Sequence, residues 1–124
     1  MKNYDHKKIE KKWQTLWKES GIYNVGGRNP AQPKEYVLVE WPYPSGNLHI
    51  GHWYAFAVPD IYARFKRMNG TQVLFPMGFD AFGLPAENYA IKTGVPPAES
   101  IGTNVKTMIT QLSRIGTMYD WSKT

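Results

Sequence analysis

Cysteine is absent from this sequence. Without thiols, these residues form no disulfide bridge, no zinc ribbon and no thiol-based catalytic site. Long apolar segments are also missing, since the longest runs, such as residues 53–59, span only a few residues and are too short to cross a bilayer. No apolar core of signal-peptide length follows the lysine-rich N-terminus, so we expect a cytoplasmic protein with no membrane partner.

Two common nucleotide-binding devices, a Walker lysine loop and a GxGxxG run, do not occur either. Aromatic residues, in contrast, make up 15% of the 124 residues, a density typical of a packed core with a pocket. Lys and Arg number 15 against 10 acidic residues, and the net charge of +5 at pH 7 favours a polyanionic partner such as a nucleotide or RNA. Alternatively, the six lysines within the first 20 residues form a solvated face.

The N-terminal part of the chain has the pattern of an amphipathic helix followed by a loop. Apolar residues recur at helical spacing within residues 5–20, and lysines fill the opposite side. Asp5 is placed to cap the start of this helix, and a glycine follows its end. Residues 21–33 are rich in Gly, Asn and Pro, which predicts a loop. We therefore separate residues 1–35, an N-terminal helix and loop, from residues 36–124.

Residues 36–75 have the pattern of one βαβ unit, which predicts an α/β fold. The mostly apolar run 36–41 predicts a buried strand that prolines end, a helical pattern follows over 51–69, and 73–75 predict a second strand. The helix should turn an apolar stripe to the core, carry an ion pair on its surface and kink at an interior proline. The stripe comprises Tyr54, Val58, Ile61 and Phe65, the pair is Asp60 and Arg64, and the proline is Pro59.

The remainder predicts a loop over 76–84, a short helix with Pro85 in its first turn, and a final helix over 98–115 closed by Gly116. Ligands of open parallel sheets bind beyond the carboxyl ends of the strands. Two segments, 42–52 and 78–87, follow the predicted strands and should therefore converge.

The first of these segments carries two histidines at the start of a helix. His49 and His52 are three residues apart, beside free backbone N–H groups and a positive dipole end that suit phosphate. Imidazoles there can donate hydrogen bonds to phosphate oxygens. The alternatives are a zinc pair, which lacks any cysteine and any obvious third ligand, and two satisfied structural histidines.

The second segment contains a lone carboxylate, Asp80, flanked by Phe79, Phe82 and Leu84. A carboxylate among apolar groups is costly unless it is paired, and an ammonium ligand would pair it. Alternatively, Asp80 caps a turn or meets a nearby lysine. Two aromatic residues, Trp41 and Tyr43, stand at the end of the first strand and either line a pocket or fill the core.

The first segment ends in LHIGH, which contains the His-Ile-Gly-His signature of class I aminoacyl-tRNA synthetases. The longer runs WPYPSGNLHIGH and GFDAFGLPAENYA resemble leucyl-tRNA synthetases in particular, as does MYDWS near the end. The resemblance extends from the first helix to Lys123. It implies that the chain is the first half of a Rossmann-like class I catalytic domain, one βαβ unit with flanking helices.

The resemblance implies a role for each site residue. His49 and His52 would be catalytic and contact ATP phosphates, and Asp80 would hold the α-ammonium of leucine in a pocket bordered by Trp41 and Tyr43. Leucine would react with ATP, in the presence of Mg²⁺, to give leucyl-adenylate, and the leucyl group would then move to tRNA(Leu). No DNA partner is expected. The implied ATP-binding segment comprises Pro42, Tyr43, Pro44, Ser45, Gly46, Asn47, Leu48, His49, Ile50, Gly51 and His52.

The sequence also departs from this family. Many bacterial members carry a Val-Arg-Asn-Tyr type of run after the signature, where this chain has residues 53–56, Trp-Tyr-Ala-Phe. The second class I signature, Lys-Met-Ser-Lys-Ser, is missing, and so are the second half of the fold and the editing and anticodon-binding regions. We therefore expect a truncation, or one half of a split enzyme with a separate downstream half, that is inactive alone. The alternatives are a non-catalytic docking module and another HxGH nucleotidyltransferase.

Overall fold

A computed structural model describes residues 3–27 and 29–124. This part of the chain forms four α-helices and two strands, and no helix in it has the length and apolar character that a membrane span requires. The elements are α1 (His6–Ser20), β1 (Lys34–Tyr36), α2 (Ile50–Met68), β2 (Gln72–Leu74), α3 (Leu84–Thr93), α4 (Pro97–Ile115) and a short 3₁₀ helix, Trp121–Lys123.

Helix α1 begins and ends where the sequence predicts. The carboxylate of Asp5 accepts a hydrogen bond from the Lys8 N–H at 3.2 Å, and Gly21 ends the helix in the left-handed region at φ +57°. None of the described residues of α1 is fully buried. The helix is instead held by side chains such as Gln14, which donates to the Arg114 carbonyl at 3.0 Å.

The two strands pair in parallel on either side of α2, which confirms the βαβ unit. The first strand is Lys34–Tyr36, so the predicted strand over 36–41 is wrong in extent. The last rung is the Val37 N–H donating to the Leu74 carbonyl at 2.9 Å, and no hydrogen bond among the described residues continues this ladder beyond Val37. The Phe75 carbonyl, just after β2, accepts the Asp120 N–H at 2.8 Å.

The face of α2 that packs on the sheet is not the predicted one. Phe56, Asp60 and Ala63 are buried, whereas the predicted stripe lies in solvent with 54–70% of each side chain exposed. Apolar residues occur on both sides of this helix, and periodicity cannot tell which side meets a neighbour. Helix α2 continues through Pro59 without a break.

The expected surface pair of α2 is in fact partly buried, with Asp60 buried and Arg64 half-buried, and it contacts several elements. Arg64 Nε donates to the Asp60 carboxylate at 2.7 Å, and the other oxygen of that carboxylate accepts the Met118 N–H at 2.7 Å. The guanidinium of Arg64 also donates to the Tyr23 hydroxyl at 3.0 Å and to the Gly116 carbonyl, and it lies 5.2 Å from the Trp17 ring centre. One ion pair thus joins α1, α2 and the segment after α4.

The core lies between the βαβ unit and α4, whose bounds agree with the prediction to within one residue. Gly116 ends α4 at φ +80°, as expected for a left-handed cap. The segment after it then turns back along β2. Buried apolar residues form one cluster, consisting of Val37, Val39, Phe56, Ala63, Val73, Phe75, Met77, Leu112, Met118 and Tyr119.

The buried carboxylate of Asp120 fastens the C-terminal segment to the loop after α1. It accepts the Val25 N–H at 2.9 Å and the Ser122 N–H at 3.0 Å, and the Ser122 hydroxyl also donates to it. Burial acts to raise the pKa of this carboxyl group, but the hydrogen bonds from Ser122 and Val25 outweigh it and hold the pKa below its ordinary value. Asp120 is therefore an ionised, fully partnered structural group.

Candidate active site

The two histidines of the first candidate segment cap α2 reciprocally. His49 is the N-cap, and its Nδ1 accepts the Gly51 N–H at 3.1 Å, while Nδ1 of His52 accepts the His49 N–H at 3.1 Å. This is a capping box built from two imidazoles. Gly51 makes it possible, because a Cβ at that position would lie only 2.9 Å from Cε1 of His49.

This arrangement leaves one donor on each imidazole. A neutral histidine has one protonated and one unprotonated nitrogen, and both Nδ1 atoms act as acceptors here, so the proton of each ring resides on Nε2. The ring centres are 3.9 Å apart. Burial, followed by the nearby His49, lowers the pKa of His52 from 6.5, which favours its neutral form at pH 7. The pair therefore presents two Nε2–H groups at the positive end of a helix.

The second candidate segment touches the first through its backbone. The Asp80 N–H donates to the Pro42 carbonyl at 3.2 Å. Two residues earlier, Gly78 lies beneath the Trp41 ring, and a Cβ there would approach Cε2 of that ring to 2.8 Å. The segments that follow β1 and β2 thus lie side by side, as expected at the carboxyl edge of a parallel sheet.

The side chains at this edge are open to solvent. The Asp80 carboxylate is exposed, and no hydrogen bond or ion pair reaches it from residues 3–27 or 29–124. Trp41 and Tyr43 keep 48% and 51% of their surface exposed, so both border an open space rather than fill the core. Pro42 and Pro44, in contrast, are buried and anchor the segment between these side chains.

Helix α4 contributes two contacts to this edge that sequence reasoning missed. Nδ2 of Asn104 donates to the Pro44 carbonyl at 2.8 Å. Gln111 accepts the Leu48 N–H at 3.0 Å and donates to the Asn47 side chain at 3.1 Å. The two residues are seven positions apart and therefore share one helix face. Polar residues placed at helical spacing within the apolar stripe of α4 were the available signal.

Alternative sites receive less support from the structure. In the part of the chain that is described, no three His, Cys, Asp or Glu side chains are grouped so that they could hold a metal ion. Two clefts of about 760 and 800 Å³ lie along α1 and are lined by residues such as Trp17 and Arg114, but by neither histidine of the pair nor Asp80. The histidine pair instead lies on an open edge.

Comparison with known proteins gives a consistent result. Residues 35–124 match the model of the family "tRNA synthetases class I (M)". The Leucine--tRNA ligases of Deinococcus radiodurans and Rubrobacter xylanophilus are 56% and 51% identical over 120 residues, which are 97% of this chain but 14% and 15% of those proteins. The chain thus spans about one seventh of the length of these curated relatives.

Solved structures resemble the chain in the same way. A ternary complex of Agrobacterium radiobacter K84 LeuRS with tRNA and LeuAMS superposes with a TM-score of 0.90 at 40% identity, over 96% of this chain and 15% of that one. Mycobacterium tuberculosis methionyl-tRNA synthetase in complex with methionyl-adenylate gives a TM-score of 0.64 at 28% identity, over 73% of this chain and 17% of that one.

Proposed function

The chain belongs to the class I tRNA synthetases, and from this membership and the geometry of the sheet edge we infer that it supplies part of the catalytic domain of a leucine–tRNA ligase. The complete enzyme would join leucine to ATP, releasing pyrophosphate, and pass the leucyl group from leucyl-adenylate to tRNA(Leu). The observation that carries this proposal is the imidazole capping box, which presents two Nε2–H donors beside the segment that bears Asp80.

The phosphate end of the reaction belongs to residues 42–52. In the first step a carboxylate oxygen of leucine attacks the α-phosphorus of ATP, and the bond from that phosphorus to the pyrophosphate oxygen breaks. Negative charge builds up on the phosphate oxygens as this occurs. His49 and His52 would donate their Nε2–H groups to those oxygens, at the positive end of the α2 dipole. No covalent enzyme intermediate is needed, since positioning and charge stabilisation suffice.

The amino-acid end belongs to residues 41–43 and to Asp80. The exposed Asp80 carboxylate would pair with the α-ammonium of leucine, an interaction that both anchors the substrate and directs its carboxylate toward the phosphates. Trp41 and Tyr43 would border the pocket, and the contact of Trp41 with Gly78 fixes one wall of it. The pairing of the two segments by backbone hydrogen bonding keeps the two ends of the site in a fixed relation.

We propose Mg²⁺ only as a companion of ATP. Magnesium binds readily to phosphate oxygens and keeps several waters, but the described residues offer no group of three carboxylate or imidazole ligands for it. We assign no catalytic step on this chain to the metal. ATP, leucine and tRNA(Leu) are the proposed substrates. Three further expectations stay predictions: a cytoplasmic location, a nucleotide-binding unit over 36–124, and completion by a separate downstream half.

The substrate can be tested by supplying the rest of the enzyme. We would join this chain to the remainder of the Deinococcus radiodurans Leucine--tRNA ligase, in place of the residues to which it is 56% identical, and measure ATP–pyrophosphate exchange with leucine, isoleucine and valine. We expect exchange with leucine to exceed that with the other two. Equal exchange with all three, or none in a folded hybrid, would contradict the proposal.

A further inference from the structure

We propose that Asn104 and Gln111 of α4 are positioning residues for the ATP-binding segment. Their amide groups hold residues 44–48 in the shape that places the imidazole pair and the positive end of α2 before the phosphates. This inference rests on the proposed function, in which residues 42–52 bind ATP. It adds that α4 supports this binding.

Asn104 fixes the beginning of the segment. Its side chain is only 8% exposed and donates to the Pro44 carbonyl at 2.8 Å. Pro44 is itself buried, and a buried carbonyl without a donor is costly. The contact crosses 60 positions of sequence and therefore ties α4 to the segment rather than stabilising α4 itself.

Gln111 fixes the end of the segment with both arms of its amide. Its Oε1 accepts the Leu48 N–H at 3.0 Å, one residue before the N-cap histidine, and its Nε2 donates to Oδ1 of Asn47 at 3.1 Å. Asn104 and Gln111 lie two turns apart on one face of α4, so a single rigid helix sets the separation of the two anchor points.

The residues between the two anchor points have few contacts of their own that would fix their conformation. The Ser45 N–H donates to the Tyr43 carbonyl at 2.8 Å, and Gly46 has φ +144° with no atom within 4 Å of the place a Cβ would take. Without the anchors this stretch would sample many conformations, and nucleotide binding would have to select one of them. The apparent affinity for ATP then falls by the fraction of time spent in the competent shape.

Leucine should be affected much less. The contacts that place Trp41 and Asp80 run between the two strand-end segments, through Gly78 and Pro42, and do not pass through α4. Loss of the Gln111 amide should therefore raise KM for ATP about tenfold, the scale of two lost hydrogen bonds, while kcat at saturating ATP and KM for leucine stay within twofold.

The hydrogen bond can be measured on the 124-residue chain itself, by hydrogen exchange of the Leu48 amide observed by NMR. In Gln111→Met this amide should exchange at least several-fold faster, because its acceptor is gone. Gln111→Glu keeps an oxygen at Oε1 and should keep the protection. Lys106→Met is the matched control, an exposed position on the same helix, and should leave the amide unchanged. Equal protection in Gln111→Met and the parent chain would overturn the inference.

The functional effect is then measured in the hybrid enzyme by leucine-dependent ATP–pyrophosphate exchange. Support consists of a raised KM for ATP in Gln111→Met, a smaller rise in Gln111→Glu and no change in Lys106→Met, because Glu keeps the acceptor for the Leu48 N–H but lacks the donor to Asn47. Asn104→Ala should also raise KM for ATP. An active parent with an unaltered KM for ATP in Gln111→Met would overturn the inference and leave the proposed function intact. A parent without exchange would remove the proposed function, and the inference would fall with it.

Discussion

Helix α2 carries two polar clusters that differ in one respect, namely whether their hydrogen-bonding groups are all used within the chain. At its N-terminus, the Nδ1 atoms of His49 and His52 accept the hydrogen bonds of the helix cap, and their Nε2–H groups donate to none of the described residues. Two turns further on, Asp60 and Arg64 use carboxylate and guanidinium alike on internal partners. The first cluster has donors available for the proposed ATP phosphates, and the second stabilises the fold.

The comparison predicts that removing Asp60 damages stability above all. Asp60→Ala leaves the Arg64 charge and the Met118 N–H without their partner, and we expect the free energy of unfolding in urea to fall by about 3–5 kcal/mol. Asp5→Ala is the matched control, because Asp5 only caps α1 and its loss should cost about 1 kcal/mol. The contrast between the clusters is lost if the two variants unfold at the same urea concentration.

Removing His52 should instead damage activity. His52→Ala deletes a donor to the charge that develops on the phosphates, and we expect leucine-dependent exchange in the hybrid enzyme to fall about 100- to 1,000-fold, or about 2.7–4 kcal/mol. Its lost cap contact should cost about 1 kcal/mol of stability. His6→Ala removes an exposed histidine at the start of α1 and serves as the control. Undiminished exchange in His52→Ala would show that its Nε2–H has no part in the reaction.

Sequence reasoning succeeded where local chemistry decides the outcome. The caps of α1 and α4, the α/β class and the side-by-side placement of the two strand-end segments all follow from short-range signals or from the direction of parallel strands. It was wrong where the outcome depends on which neighbour is present. The extent of β1 and the buried face of α2 are set by a partner strand of three residues, whose length no pattern in the first strand reveals.

The same limit applies within the candidate site. The imidazoles and Asp80 could be singled out because their residue types are informative on their own. Gln111 could not, since an amide on a helix gains a role only through the segment it meets 63 positions away. The exposed apolar stripe of α2 illustrates the same limit. The sequence shows that these residues are apolar but does not show which surface they face.

Two aspartates extend the comparison to the strand-end segment. Asp80 has no partner among the described residues, whereas Asp120 is fully partnered. Asp80→Asn should raise KM for leucine about tenfold to a hundredfold, since a charged hydrogen bond is worth about 1.5–3 kcal/mol, and should leave the urea midpoint and KM for ATP unchanged. Steady-state exchange kinetics of the hybrid enzyme, with the urea unfolding of the same variant, measure both. A shifted midpoint without a change in KM would make Asp80 a structural residue like Asp120.

The smallest expected effect is on the pH dependence of stability, which tests whether Asp120 is the structural aspartate of the two. The pKa of Asp120 is lower in the folded chain than its ordinary value of 3.8, so its ionised form stabilises the fold fully above that value. This contribution is lost as the pH falls through the folded pKa, because the unfolded chain then binds the proton more readily. Asp120→Asn should therefore lower the melting temperature at pH 7 and reduce its decline between pH 5 and 2. Identical slopes for Asp120→Asn and the parent would mean that the buried carboxylate contributes nothing to acid sensitivity.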